Sequence, residues 1–315
     1  MNKEVLSIVI PAYNEEGNIE RTTRVLSGLM ESEKINYAIY YVDDGSKDKT
    51  WEQIEAIARE NKRVKGIHFS RNFGKEAAMF AGLEMVAGDC AVVMDCDLQH
   101  PAETVIKMYH MWELGFEVVE GVKLDRGKES ALHKFAVKVF YKLMSDSTKI
   151  DMSKASDFKL MDRKVIDALV SLPERNTFFR ALSSWVGFKT TTVGFYVAER
   201  EIGTSKWNLG SLIRYAINNI TSFTTKPLHL VFFMGGLYLI LALIQGIECL
   251  VTYLSHNAVE GFTTVILIQL ITGSIVMLSL GIIGTYIAKI YEEVKNRHRY
   301  IVSKTVNIAS KRNDK

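Results

Sequence analysis

Three short polar segments carry the residues best suited to chemistry, and each directly follows an apolar run. Pro11-Ala12-Tyr13-Asn14-Glu15-Glu16 follows residues 6–10, Asp43-Asp44-Gly45-Ser46 follows 38–42, and Asp95-Cys96-Asp97-Leu98-Gln99-His100-Pro101 follows 91–94. In extended backbone, residues i and i+2 point the same way, so Asp95 and Asp97 present two carboxylates together. At a separation of about 4 Å such charges repel by roughly 1–4 kcal/mol. A hard divalent cation removes the conflict. Mg²⁺ or Mn²⁺ takes one or two carboxylates and completes its shell with substrate phosphate oxygens. The alternative is an Asp-rich turn or a helix cap ahead of Pro101. A lone D-x-D is a weak signal, and it gains weight here from Asp43 and Asp44 at the end of a neighbouring strand. Neither a Walker loop nor a G-x-G-x-x-G follows the first strand. Arg71-Asn72-Phe73-Gly74-Lys75 after the third strand either caps a helix or contacts a ligand.

Positioning these segments requires alternating strands and helices. The apolar runs 6–10, 38–42, 64–69 and 91–94 read as buried strands, with amphipathic helices over 16–32, 47–61 and 75–86 between them. Ser46 is placed to cap the second helix. The alternation predicts an α/β fold, a mostly parallel sheet with helices on both faces. In such sheets ligands bind beyond the carboxyl ends of the strands, where the polar segments fall.

The chain has 315 residues and a net charge of +3. That balance excludes a protein built mainly to neutralise nucleic-acid phosphates. Three cysteines without regular spacing exclude a disulfide framework and a Cys-built zinc site. Residues 227–247 and 261–288 hold no Lys, Arg, Asp or Glu. About 20 residues suffice to cross a bilayer core of roughly 30 Å, so the two stretches predict a transmembrane hairpin. The connecting residues 255–260 hold no Lys or Arg, whereas basic residues flank the outer ends. Both termini are therefore expected in the cytoplasm. Residues 289–315 carry eight basic and three acidic side chains, which reads either as a tail meeting anionic lipid or as a solvated one. The apolar run 5–10 is too short for a signal peptide and ends without a small-residue cleavage pattern, so the polar part is expected to stay in the cytosol. Apolar residues recur at helical spacing over 130–145 and 208–225, which either pack on the domain or lie in the headgroup layer. His68, His110 and His133 read as structural or solvated, His100 as shaping its turn, and Cys96 as a spacer or a redox target.

In combination the motifs resemble family 2 glycosyltransferases. They are I-V-I-P-A-Y-N-E-E (8–16), D-D-G-S (43–46), D-C-D-L-Q-H-P (95–101), S-D-F-K-L-M-D-R (156–163) and R-E-I-G-T-S-K-W (200–207). With two C-terminal spans the chain is similar to the polyprenyl-phosphate branch, which includes dolichol-phosphate mannose synthases and GtrB-type bactoprenol glucosyltransferases. The resemblance implies a GT-A (Rossmann-like) catalytic domain over 1–206. It is followed by a juxtamembrane amphipathic helix over 207–226, two transmembrane helices within 227–288 and a basic cytoplasmic tail over 289–315. By the same resemblance Pro11, Ala12, Tyr13, Glu15 and Asp43 contact the nucleotide. Asp95, Asp97 and Gln99 hold Mg²⁺ or Mn²⁺ and, through it, the diphosphate. Asp157 and Asp97 are the catalytic carboxylates, with Asp157 on the acceptor side. Arg126, Arg200, Ser205 and Lys206 bind phosphates.

The implied activity is an inverting, metal-dependent hexosyltransferase of the cell membrane. It moves one sugar from a nucleotide-sugar, UDP-glucose first and UDP-N-acetylglucosamine second, to polyprenyl (undecaprenyl) phosphate for cell-envelope glycans. Breaking the nucleotide-sugar bond develops negative charge on the diphosphate, which a metal and fixed cations stabilise. The attacking phosphate has a second pKa near 6 and needs little help from a base. Expected partners are the donor, the lipid acceptor, the membrane, a flippase and further copies of the chain, but no nucleic acid. A processive polysaccharide synthase and a catalytically idle nucleotide-binding scaffold are the competing readings. The first usually carries more spans and Q-x-x-R-W, where this chain has Ser205-Lys206-Trp207.

Overall fold

The structure is a computed structural model and describes residues 5–124, 156–174, 178–196, 221, 225–255 and 262–308. It divides into two units, Met1–Asn208 with Arg297–Lys315, and Leu209–Asn296.

In the first unit, β1 (Leu6–Ala12) lies parallel between β2 (Tyr37–Asp43) and β4 (Cys90–Val93), and β3 (Val64–Phe69) lies parallel beyond β2. Parallel neighbours need crossover connections, supplied by α1 (Ile19–Ser32), α2 (Thr50–Glu60) and α3 (Lys75–Met85). The other half is mixed. After α4 (Ala102–Glu113) come β5 (Val118–Lys123) and β6 (Lys159–Asp162), with β6 antiparallel to both β4 and β5. Then follow α5 (Arg163–Ser171), α6 (Phe179–Trp185) and β7 (Thr190–Phe195), which is parallel to β5. With a last strand β8 (Val302–Val306), the sheet order is β7-β5-β6-β4-β1-β2-β3-β8.

The mostly parallel sheet matches the expectation from alternation, with ends adjusted by tertiary contacts. The first helix starts at Ile19 rather than at 16, because residues 13–18 form a loop bonded to the β2–α2 turn. Helix α3 is not amphipathic: Ala77 to Leu83 are all buried, because α3 packs on β1 and β2 and also against α5.

The basic tail holds the largest departure from the sequence reading. Strand β8 (Val302–Val306) pairs antiparallel with β3 and closes that edge of the sheet. Its V-S-K-T-V alternation suits an edge strand with one face on the protein. Tyr300 stacks on Phe69 with ring centroids 5.0 Å apart and donates its hydroxyl to Glu84. Arg299 donates to the carbonyls of Leu172 and Glu174. Asn307 donates to the carbonyls of Ala58 and Val64. A segment with side-chain and ladder bonds along its length is part of the domain, not a solvated tail.

The second unit holds α7 (Lys226–Leu254) and α8 (Phe262–Val294). Within them Pro227–Glu248 and Ile268–Val294 are long and apolar enough to cross a membrane. Tyr238 and Thr272 share a hydrogen bond between the two helices.

Tyr300→Ala is expected to cost about 2 kcal/mol through lost stacking and burial. It should lower the thermal midpoint of the detergent-solubilised protein and speed amide exchange in β8 while leaving β1 unchanged.

Candidate active site

The chain leaves β1 for β2 on one side, while β4 lies on the other. The carboxyl ends of β1, β2 and β4 therefore converge at a switch point. Two loops interlock there. Asn14, at φ 54°, donates its N–H to Ser46 Oγ at 2.9 Å and accepts from the Lys47 N–H at 2.9 Å. The Glu15 N–H donates to Thr50 Oγ1, and the Asp44 N–H to the Ala12 carbonyl. Ser46 is thus engaged with the first loop and does not cap α2. Asp48, one residue ahead of the N-cap Lys49, accepts from Thr50 N and Oγ1.

The neighbouring aspartates separate in role. The Asp43 side chain has 0% exposure and accepts from the Ser46 N–H at 3.0 Å, with His68 Nδ1 at 2.6 Å from its other oxygen. Its carboxylate, expected to lie close to the base and ribose, sits behind the loop, is not among the residues lining the cleft, and holds the turn. Asp44 faces the cleft instead and accepts from the Phe73 and Gly74 N–H groups at 2.6 and 2.9 Å. Burial raises its carboxyl, opposed by those two bonds. The bonds fix where α3 begins, just after Gly74 at φ 102°. The first residue of α3, Lys75, is thereby set at the cleft.

Just past β4, the Asp95 N–H donates to His100 Nδ1, and the buried His100 ring stacks on Phe158 at 4.4 Å. Burial lowers the imidazole pKa, so the ring is a neutral acceptor that shapes the turn, as expected. Cys96 is 3% exposed in the core, its carbonyl taken by the Thr22 hydroxyl, which supports its reading as a spacer. Asp97 accepts from the Gln99 N–H, with Leu98 at φ 55° between them.

Residues Val93 and Lys159 are paired across β4 and β6, and two more steps along that register set Asp157 opposite Asp95. Lys75 Nζ lies 2.5 Å from Asp95 Oδ1 and 3.6 Å from Asp157 Oδ2. Arg180 grips Asp157 through Nε and Nη2, both at 2.8 Å. Burial would raise Asp157, but Arg180 and then Lys75 outweigh it and hold the carboxyl well below the usual range. The same contest, won by Lys75, lowers Asp95. Glu76 accepts from the Phe179 N–H at 2.9 Å; burial and then the Asp157 charge raise its carboxyl to about 7. Beneath them Lys159 is fully buried against Glu120 at 2.9 Å and Ser183.

The cleft has a volume of about 450 Å³. Among its lining are the expected Pro11, Ala12, Tyr13, Glu15, Asp95 and Asp97, and the unassigned Asp44 and Lys75. Gln99 is not among the lining residues, and its backbone supports Asp97. Arg126, Arg200, Ser205 and Lys206 lie outside the described residues, as do His133 and 130–145. Of the further span 208–225, only 221 and 225 are described. No group of three or more metal-ligating side chains gathers among the described residues. Two carboxylates on one cleft nevertheless fit Mg²⁺ or Mn²⁺, which draw their remaining ligands from water and phosphate. Sequence reasoning missed Asp44, Glu76 and Arg180. Lys75 was marked only within R-N-F-G-K, and Arg180 sits in no motif.

An acidic cleft at the switch point of a mostly parallel sheet, with a third carboxylate across the antiparallel β6, is the GT-A arrangement. The sequence model described as "Glycosyl transferase family 2" matches residues 7–169. The uncharacterized glycosyltransferase YkcC of Bacillus subtilis is 41% identical over 97% of this chain and 95% of its own length. The SfII prophage-derived bactoprenol glucosyl transferase of Shigella flexneri is 35% identical over 95% and 98%. Among solved structures, a glucosyl-3-phosphoglycerate synthase from Mycobacterium tuberculosis shares the fold, with a TM-score of 0.50 and 21% identity over 70% of this chain and 78% of that one. The chain belongs to glycosyltransferase family 2.

Glu76 carries a pH signature. Its folded pKa of about 7 exceeds the ordinary 4.5, so the protonated group favours the fold; this contribution is complete below about pH 4.5 and is lost as pH rises through 7. This contribution should lower the thermal midpoint of the wild type as pH rises from about 4.5 to about 7 and level off above that, and Glu76→Gln should flatten the slope.

Proposed function

We propose that this glycosyltransferase moves a single hexose from a nucleoside-diphosphate sugar to polyprenyl phosphate at the membrane surface, inverting the anomeric configuration. The observation that carries the reading is one cleft lined by Pro11, Tyr13, Glu15, Asp95 and Asp97, in a chain with two membrane-length apolar helices. The near-full-length similarity to a bactoprenol glucosyl transferase supports a polyprenol acceptor and glucose as the first candidate sugar. The related solved fold was determined with Mn²⁺ and UDP-glucose.

Asp95 and Asp97, with Gln99 behind Asp97, would hold Mg²⁺ or Mn²⁺. When bound, that ion supplies Lewis-acid stabilisation of the departing diphosphate. Pro11 to Glu15 form the wall against which the nucleotide lies. Lys75 adds a positive charge beside the diphosphate, and Arg126, Arg200, Ser205 and Lys206 are proposed to close over phosphates.

Asp157 is a poor base, because Arg180 and Lys75 hold it ionised far below neutral pH. The acceptor phosphate is already largely ionised at pH 7 and needs no proton removed. Asp157 therefore acts by orienting Arg180 and Lys75.

A lipid acceptor places the reaction at the bilayer. Two spans return the chain to the side it left, so both outer helix ends share one side of the membrane. The basic residues at those ends favour the cytoplasm.

Asp97→Ala should reduce transfer to lipid phosphate by at least about 10²-fold, the scale of losing a main electrostatic stabiliser, with membrane insertion intact. Radiolabelled UDP-sugars, polyprenyl phosphate and purified membranes provide the assay. Undiminished turnover of the variant under EDTA would refute the metal role. Mass spectrometry should find one hexose per lipid phosphate; a polymer would indicate a processive synthase.

A further inference from the structure

We propose that Lys75 competes with the divalent cation for Asp95, so that the cation binds tightly only together with a nucleoside diphosphate, which gives the displaced ammonium a new partner. The inference rests on the reading that Asp95 and Asp97 hold the metal.

The contact is built by the fold. Asp44 clamps the Phe73 and Gly74 N–H groups and so sets the first turn of α3. From Ala77 to Leu83 the helix is buried, so its start cannot drift. The backbone of Asp95 is tied to His100. Between these fixed points Lys75 Nζ meets Asp95 Oδ1 at 2.5 Å.

Lys75 has little to fall back on. Its second carboxylate, Asp157, is 3.6 Å away, and both of that group's oxygens already accept from Arg180. A dication taking Asp95 alone would leave the ammonium beside a double positive charge with only a shared carboxylate. A diphosphate arriving with the cation brings anionic oxygens into the same cleft and resolves the conflict. The Lys75 and Asp95 side chains are 44% and 37% exposed, so the pair contributes little to stability and exchanges readily. Its consequence is coupling. By linkage, the factor by which nucleotide tightens the cation is the factor by which the cation tightens nucleotide.

The test titrates Mn²⁺ into the full-length protein in detergent, following the free-ion EPR signal, with and without saturating UDP. In the wild type UDP should tighten Mn²⁺ at least about tenfold, within the usual range of coupling between sites. In Lys75→Gln the affinity for Mn²⁺ alone should rise roughly tenfold and the gain from UDP should shrink by a similar factor. Lys75→Arg should keep most of the coupling. Should Lys75→Gln not fold, judged by circular dichroism, Lys75→Met carries the same expectation with the aliphatic stem retained. Equal Mn²⁺ affinity of wild type and charge-free variant without UDP overturns the inference while leaving the metal reading intact. No Mn²⁺ binding by either protein, even with UDP, overturns both.

Discussion

Like charges forced together at the end of a sheet, and the cations recruited to hold them, govern the geometry of this protein's cleft. Asp95 and Asp97 come from the end of β4, and Asp157 is brought opposite by the antiparallel register of β6. Three carboxylates so placed repel unless cations approach closely. Lys75 and Arg180 do so from two different helices. Each helix start is in turn fixed by a carboxylate accepting backbone N–H groups, Asp44 for α3 and Glu76 for α6. The electrostatics of the site and the packing of its helices are therefore one system.

Helix α3 is the spine of that system. Its first turn carries Lys75 and Glu76 into the cleft, and its middle is buried. Towards its far end Phe80 lies under the Arg299 guanidinium and Glu84 accepts the Tyr300 hydroxyl. The chain that returns from the apolar hairpin is thus fastened to the helix that presents the cleft's lysine.

The charge pattern also constrains the chemistry. A carboxylate paired twice with a guanidinium, as Asp157 is, holds cations in place and is ill-suited to accept a proton. That suits the proposed acceptor, a phosphate whose attacking oxygen is already anionic. The demand on the protein shifts to neutralising charge on the leaving group, and the cleft is equipped for it: two carboxylates of the type hard cations favour, and a lysine beside them.

Much of this was legible from the chain alone. Apolar runs followed by P-A-Y-N-E-E, D-D-G-S and D-C-D marked the parallel strands and the edge where ligands bind, because strand burial is a local property; that Asp95-Cys96-Asp97 runs into a turn past Val93 rather than continuing as extended backbone was not legible. The apolar helices were equally plain, since length and the absence of charge suffice. Three other things were not. Asp43 and Asp44 are adjacent and alike, and only the packing of His68 and of the 71–74 loop decides which one is buried and which meets the cleft. Arg180 belongs to no motif and reaches Asp157 only through the placement of α6 beside β6. Strand β8 looked like a basic tail, because its pairing with β3 joins residues more than 200 positions apart, and no local pattern records a contact of that range. Composition and periodicity determined the class of fold and the edge that carries the chemistry; the partners of each charge were decided by tertiary structure, since charges respond to whatever is near in space rather than in sequence.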